Sequence, residues 1–175
     1  MKRTKDLVLM AMYIALYIVL EWMMAVYPLF AMPQGGKLGI SAIPLILASY
    51  QLGVGKGLIV VFASLLGRFM MIKVPTFVSP IQLFMAYFFA YGVYSFSVLF
   101  KDIKISDVKL PIGVIFTNII RYLAHSFSGI FFFPSGENMQ AIIMGSLIYN
   151  MPYMLATTVI TFVIIMIAKP RLERV

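Results

Sequence analysis

Long apolar runs, separated by short polar or glycine- and proline-rich breaks, dominate this sequence. A helix that spans a membrane needs about 20 mostly apolar residues, and the runs here reach or approach that length. The pattern predicts an all-α integral membrane protein, a bundle of six transmembrane helices that forms a single domain over residues 1–175. The predicted helices cover residues 6–27, 38–54, 57–73, 79–100, 111–133 and 140–168.

Residues with turn chemistry mark the breaks between these helices. They are Pro28 with residues 33–36, residues 53–55, Pro75 with Pro80, the polar loop of residues 101–109, and residues 134–136. The sequence contains no internal repeat, which weakens an interpretation as a secondary transporter built from repeated halves.

Composition supports a membrane location. Hydrophobic residues make up 62% of the chain and charged residues 11%, with a mean hydropathy of +0.99. Soluble domains have roughly 45–50% apolar and about 25% charged residues. The net charge of +8 could indicate nucleic acid, but the basic residues lie between the apolar runs, as membrane flanks do. We therefore expect a lipid bilayer and no nucleic acid as partner.

The distribution of Lys and Arg predicts the orientation. Because cytoplasmic flanks are enriched in positive charge, we expect both termini in the cytoplasm and the chain in the bacterial cytoplasmic membrane. Ten basic residues then lie inside and two outside. The inner ones are Lys2, Arg3, Lys5, Lys56, Lys101, Lys104, Lys109, Lys169, Arg171 and Arg174, and the outer ones are Lys37 and Lys73.

Ionisable residues within the predicted spans are candidates for function, because a charge in the membrane usually faces a cavity or a partner. Arg121 and His125 share one face of the fifth helix, and Asn150 reaches a similar depth on the sixth. These polar faces should meet in the outer half of the membrane, either as a ligand site or as groups that satisfy each other. Glu21 and Arg68 lie near the outer ends of their helices. Glu21 could extend its charge to the membrane interface or pair with Lys37 or Lys73, and Arg68 could likewise reach the interface or a partner.

The fourth helix carries tyrosines at helical spacing, Tyr87, Tyr91 and Tyr94. They could stack on a flat ligand or serve as packing. The sequence lacks a phosphate-binding loop, a zinc-protease motif, a nucleophile elbow and a second histidine. We therefore expect that the protein is not an enzyme and binds neither a metal nor a cofactor. If it is a transporter, it must be passive, ion-driven or powered by another subunit.

Three segments resemble the substrate-binding S components of energy-coupling factor (ECF) transporters, specifically the thiamine-type branch. The first is the run Met32-Pro33-Gln34-Gly35-Gly36 with Ile43-Pro44. The second is Arg121-Tyr122-Leu123-Ala124-His125, followed by Gly129 and Phe133, and the third is Asn150. Ala11 and Ala15 resemble the motif by which such proteins dock on their T subunit.

The resemblance implies a protein that captures a vitamin from outside and delivers it with a membrane T subunit and two cytoplasmic ATPases. The implied pocket residues are Tyr87, Arg121, His125, Gly129, Phe133 and Asn150. Arg121 stands where the family usually has Lys, and Phe133 where it often has Trp.

Two positions differ from the family in ways that concern the ligand. Ala86 stands where the family has an acidic residue facing the cationic thiazolium ring, and Gly145 where it has a tyrosine. Glu21 or Glu137 could replace the missing acid. Thiamine remains the first expectation, and a heteroaromatic compound with an anionic substituent the alternative, because Arg121 favours acceptors. A stand-alone secondary transporter, a channel subunit and a structural membrane protein remain open.

Overall fold

The computed structural model describes residues 2–33, 36–72, 77–106 and 108–172. Several residues used in the sequence predictions lie outside this part of the chain. They are Gln34, Gly35, Lys73, Pro75 and Arg174, together with the side chain of Lys2.

The described chain forms five helical segments and one small hairpin. The segments are α1 (Lys2–Val26), α2 (Ala42–Met71), α3 (Pro80–Leu99), α4 (Ile112–Phe132) and α5 (Met139–Leu172). All except α4 are long and apolar enough to cross a membrane. Helix α4 carries several polar side chains along its length, among them Asn118, Arg121 and His125. The described chain is thus mostly helical, as predicted, with four candidate membrane spans, whereas six separate helices are not confirmed.

The second and third predicted helices form one segment, α2, which bends back on itself. Gly53 has φ 80° and ψ 175°, a conformation that favours glycine and interrupts the helix. A straight helix of this length would measure about 45 Å. Instead, Ser41 before α2 and Arg68 near its end both bind Glu21. The two arms of α2 therefore run antiparallel, and the break predicted at residues 53–55 occurs at Gly53.

The polar loop predicted at residues 101–109 contains a short antiparallel hairpin, which corrects the purely α-helical prediction. Strand β1 (Ile103–Ile105) pairs with β2 (Val108–Leu110), with Lys104 opposite Lys109. Both strands have only three residues and are largely exposed. Their β-branched residues favour extended backbone, although the polarity of the segment predicts only a loop.

Helix α3 changes its winding along its length. Ser79 accepts a hydrogen bond from the backbone N–H of Gln82 at 3.1 Å, which caps the helix before Pro80. The chain then forms a π-helical stretch over Phe84–Phe89 and a 3₁₀-helical stretch over Val93–Leu99. Helix segments of the π type occur frequently at functional sites, and this one contains Tyr87.

The helices pack around a core that α2 supplies in large part. Helix α1 packs on α2 through Tyr13 and Tyr17, and the 3₁₀ part of α3 packs on α2 and α4. The outward faces of the bundle carry many exposed large apolar side chains, as a lipid environment requires. Ala11 and Ala15 lie on the exposed face of α1, opposite Tyr13 and Tyr17.

Candidate ligand-binding cavity

One end of the bundle encloses a cavity of about 820 Å³, to which all five helical segments and the chain before α2 contribute. Binding sites for small molecules typically have volumes of roughly 300–1,000 Å³. All six residues predicted to line a pocket lie in its wall: Tyr87, Arg121, His125, Gly129, Phe133 and Asn150. The structure brings them together, while their contact with a ligand stays a prediction.

Arg121, on α4, is 4% exposed and is held by neutral groups. Its Nη1 donates to the hydroxyl of Tyr94 at 2.9 Å, and its Nε donates to Nε2 of His125 at 3.3 Å. The guanidinium lies 4.2 Å from the ring centre of Tyr91, a cation–π contact. Among the side chains that the structure describes, no carboxylate forms an ion pair with Arg121.

The contact with Arg121 also indicates which ring nitrogen of His125 carries the proton. Because Nε2 accepts a hydrogen bond from a group that can only donate, a neutral imidazole carries its proton on Nδ1. His125 therefore offers a donor at Nδ1.

A buried chain of hydrogen bonds fixes Arg121 from the core side. The Tyr94 hydroxyl donates to Oδ1 of Asn118 at 2.8 Å, and Nδ2 of Asn118 donates to Thr161 Oγ1 at 3.2 Å. Tyr94, Asn118 and Thr161 are wholly buried. Fully satisfied buried networks are rigid, so the guanidinium has a defined position before any ligand binds.

Helix α5 contributes Asn150, whose side chain is also held within the protein. Its Nδ2 donates to the carbonyl of Ser146 at 2.8 Å, and its Oδ1 accepts from the hydroxyl of Tyr153. Tyr153 lines the cavity and meets His125 edge to face at 6.3 Å. Asn150 and Tyr153 thus form one polar surface beside His125.

Gly129 has a packing role in addition to lining the cavity. A Cβ atom at this position would lie 2.2 Å from Ser146 Oγ, which itself donates to the carbonyl of Ser126 at 2.7 Å. The absence of a side chain therefore lets α4 approach α5 closely beneath the cavity.

Two stacked aromatic rings on α3 lie between two guanidinium groups in the cavity wall. Tyr87 and Tyr91 stack with an interplanar angle of 8° and a centroid separation of 6.3 Å. Arg68 lies 5.1 Å from the ring centre of Tyr87, and Arg121 lies next to Tyr91. The stacked pair therefore has a guanidinium group next to each of its two rings. Phe133, at the C-terminal end of α4, adds a ring that is 42% exposed.

Glu21 on α1 is the centre of a second polar cluster in the wall. Its Oε1 accepts from Lys37 at 2.8 Å and from Arg68 Nε at 2.9 Å, and its Oε2 accepts from Ser41 at 2.7 Å. Of the alternatives left open for Glu21, the structure shows the pairing with Lys37, and the contact with Arg68 was missed. The rule that ionisable residues within spans face cavities or partners was the signal for both.

Two further cavity residues bear on the chemistry. Gln82 is 5% exposed, and its Oε1 has no hydrogen-bond partner. Its place in the cavity was not predicted, because a lone polar residue in the first turn of a helix forms no recognisable pattern. Ala86 lines the cavity, as expected for the position of the missing acid, whereas Glu137 is exposed and does not line it. Glu21 is the only carboxylate among the described lining residues.

The family described as "Thiamine transporter protein (Thia_YuaJ)" matches residues 7–175. The chain belongs to this thiamine transporter family. The thiamine transporter ThiT of Bacillus subtilis (strain 168) is 30% identical over 148 residues, which cover 77% of this chain and 76% of that protein. The solved structure of ThiT from Listeria monocytogenes has the same fold, with a TM-score of 0.72, 18% identity and 98% coverage of both chains.

Membership of the thiamine transporter family confirms the resemblance found in the sequence. It also confirms that the function is transport and that the protein is not an enzyme.

Proposed function

We propose that this protein is the S component of an ECF importer and captures thiamine, or a closely related heteroaromatic compound, in the cavity described above. The family supports the choice of vitamin. The observation that carries the proposal is the meeting of all six predicted ligand residues in one cavity of about 820 Å³. We regard residues 1–175 as one membrane domain built around it.

The side chains of the cavity suit a flat ring with hydrogen-bonding edges. Tyr87 and Phe133 offer ring faces for stacking. His125 offers a donor at Nδ1, and the amide of Asn150 has both donor and acceptor atoms. Because Arg121 and Asn150 are already hydrogen-bonded to the protein, little ordering of these side chains is needed when the ligand binds.

We propose an orientation in which the cavity faces the outside and both termini lie in the cytoplasm. The basic residues of the described chain support it. Lys37 lies at the cavity end, whereas Lys56, Lys101, Lys104, Lys109 and Lys169 belong to the segments at the other end. Excess positive charge on one side of a membrane protein indicates the cytoplasmic side.

We propose that the exposed face of α1 docks on the T subunit, which two cytoplasmic ATPases drive. Ala11 and Ala15 are four residues apart on the exposed side of the helix. Small residues at this spacing allow another membrane helix to approach closely.

Binding and assembly can be tested separately. Calorimetry of the purified protein should detect saturable binding of thiamine or of its derivatives with one site per chain. Co-expression with a T subunit and the ATPases should give a complex that imports thiamine into liposomes when ATP is supplied. Failure to associate, together with transport by the isolated chain, would instead indicate a stand-alone transporter.

A further inference from the structure

The charges that line the cavity are unbalanced. Among the described lining residues, one carboxylate, Glu21, faces three cationic side chains, Lys37, Arg68 and Arg121. Glu21 contacts both Lys37 and Arg68, and one negative charge can balance only one of them. Without counting His125, the lining carries two positive charges in excess.

Burial makes this excess costly. Arg121 is 4% exposed and has no ion-pair partner among the described side chains. The side chain of Arg68 is 11% exposed, and its Nη1 has no hydrogen-bond partner. A buried cation without a counter-charge destabilises the protein unless a bound group compensates it.

The two guanidinium groups lie along the same wall. Arg68 contacts the ring of Tyr87, Arg121 contacts the ring of Tyr91, and the two rings stack on each other. Next to Tyr87, Ala86 brings no carboxylate that could attract a cationic ring. Guanidinium groups bind phosphate through paired hydrogen bonds, which makes this wall suited to an anion.

We propose that the preferred ligand carries an anionic group, and that the cavity binds a phosphate ester of the heteroaromatic vitamin more tightly than the free vitamin. The phosphate contacts Arg121, while Arg68 and Lys37 add electrostatic attraction. This inference rests on the proposed function, because it assumes that the ring part of the ligand is of the thiamine type.

Calorimetry with thiamine and thiamine monophosphate tests the preference directly. The wild-type protein should bind the monophosphate about tenfold more tightly or better, the gain expected for a charge-assisted contact. Equal or tighter binding of free thiamine would overturn the inference and leave the proposed function intact. If neither compound binds, the proposed function fails with it.

Variants of Arg121 give a second, independent measurement. In Arg121→Gln the ratio of the two dissociation constants should fall towards one, whereas Arg121→Lys, which keeps the charge, should retain part of the preference. Lys56→Gln is the matched control, because Lys56 pairs with Asp6 and does not line the cavity; its ratio should equal that of the wild type. An unchanged ratio in Arg121→Gln would overturn the role of Arg121.

Inorganic phosphate distinguishes an ester site from a site for free anions. It should displace the monophosphate only at concentrations far above that of the ester, because it lacks the ring. Displacement at equal concentration would overturn the assignment to an ester.

Discussion

Arg68 donates a hydrogen bond from Nε to Oε1 of Glu21 across 2.9 Å, and thereby joins the end of α2 to α1. The same carboxylate binds Lys37 and Ser41 in the chain before α2. One buried side chain, 1% exposed, thus connects three parts of the protein around the cavity. We infer that Glu21 stabilises the shape of the cavity wall as well as contributing its charge.

Replacing Glu21 by Gln should destabilise the protein. The substitution keeps the size of the side chain and its contact with Ser41, but leaves Arg68 and Lys37 without a counter-charge. Removing one partner of a buried ion pair costs about 3–5 kcal/mol, which for a chain of this length lowers Tm by roughly 6–20 °C. Thermal unfolding in detergent, followed by circular dichroism, measures the shift.

The matched control for Glu21→Gln is Asp6→Asn. Asp6 pairs with Lys56, and both side chains are substantially exposed. Exposed pairs contribute about 0–1 kcal/mol, so Tm should fall by less than roughly 4 °C. Similar shifts in the two variants would mean that burial of Glu21 has no special role.

Gly129→Ala should weaken the packing of α4 on α5. The new Cβ would lie 2.2 Å from Ser146 Oγ, so Ser146 must move and lose its hydrogen bond to the carbonyl of Ser126. Overpacking of this kind costs about 1–3 kcal/mol, and calorimetry should also show weaker ligand binding, because both helices line the cavity.

Two further variants control the Gly129 prediction. Adding Ser146→Ala to Gly129→Ala removes the clashing oxygen and should restore part of the stability. Gly55→Ala should cost nothing, because a Cβ at Gly55 meets no atom within 4 Å. If the double variant is no more stable than Gly129→Ala alone, the contact with Ser146 is not the cause.

Ala86→Glu should change the ligand preference towards the free vitamin. The carboxylate would enter the cavity beside Tyr87 and offer a counter-charge to a cationic ring, while repelling a phosphate. We expect thiamine to bind about tenfold more tightly and the monophosphate more weakly. Ala86→Gln, which adds similar bulk without charge, separates the electrostatic effect from the steric one. If the affinity for thiamine is unchanged in Ala86→Glu, the ring of the ligand does not bind beside residue 86.

The double variant Ala11→Trp/Ala15→Trp should prevent assembly with the T subunit and leave thiamine affinity unchanged. Both alanines are exposed on α1, and neither lines the cavity. Pull-down of the co-expressed complex and calorimetry of the isolated chain measure the two properties. Leu155→Trp is the control, because Leu155 is 62% exposed on a different helix, α5. Normal uptake in the double variant would exclude this face of α1 as the docking surface.

Local features of the sequence were sufficient to predict most of the helices and the polar faces of α4 and α5. Arg121 and His125 are four residues apart on α4, and the rise per residue along the two oppositely running helices put Asn150 of α5 at a similar depth, so spacing and depth together predicted that these polar faces would meet. All three residues line the cavity. The hairpin at residues 103–110 was missed, because segments of three residues are too short for an alternating pattern to be recognised.

The sequence by itself determined the long apolar helices of a membrane protein, where most of them break, and the inward polar faces of α4 and α5, because each of these depends on neighbours a few positions away. Only the tertiary structure decided which charges meet. Glu21 and Arg68 are 47 residues apart, and the fold-back of α2 at Gly53 brings the second to the first. Contacts between residues so far apart in the sequence depend on how whole helices pack, and no local sequence pattern predicts them.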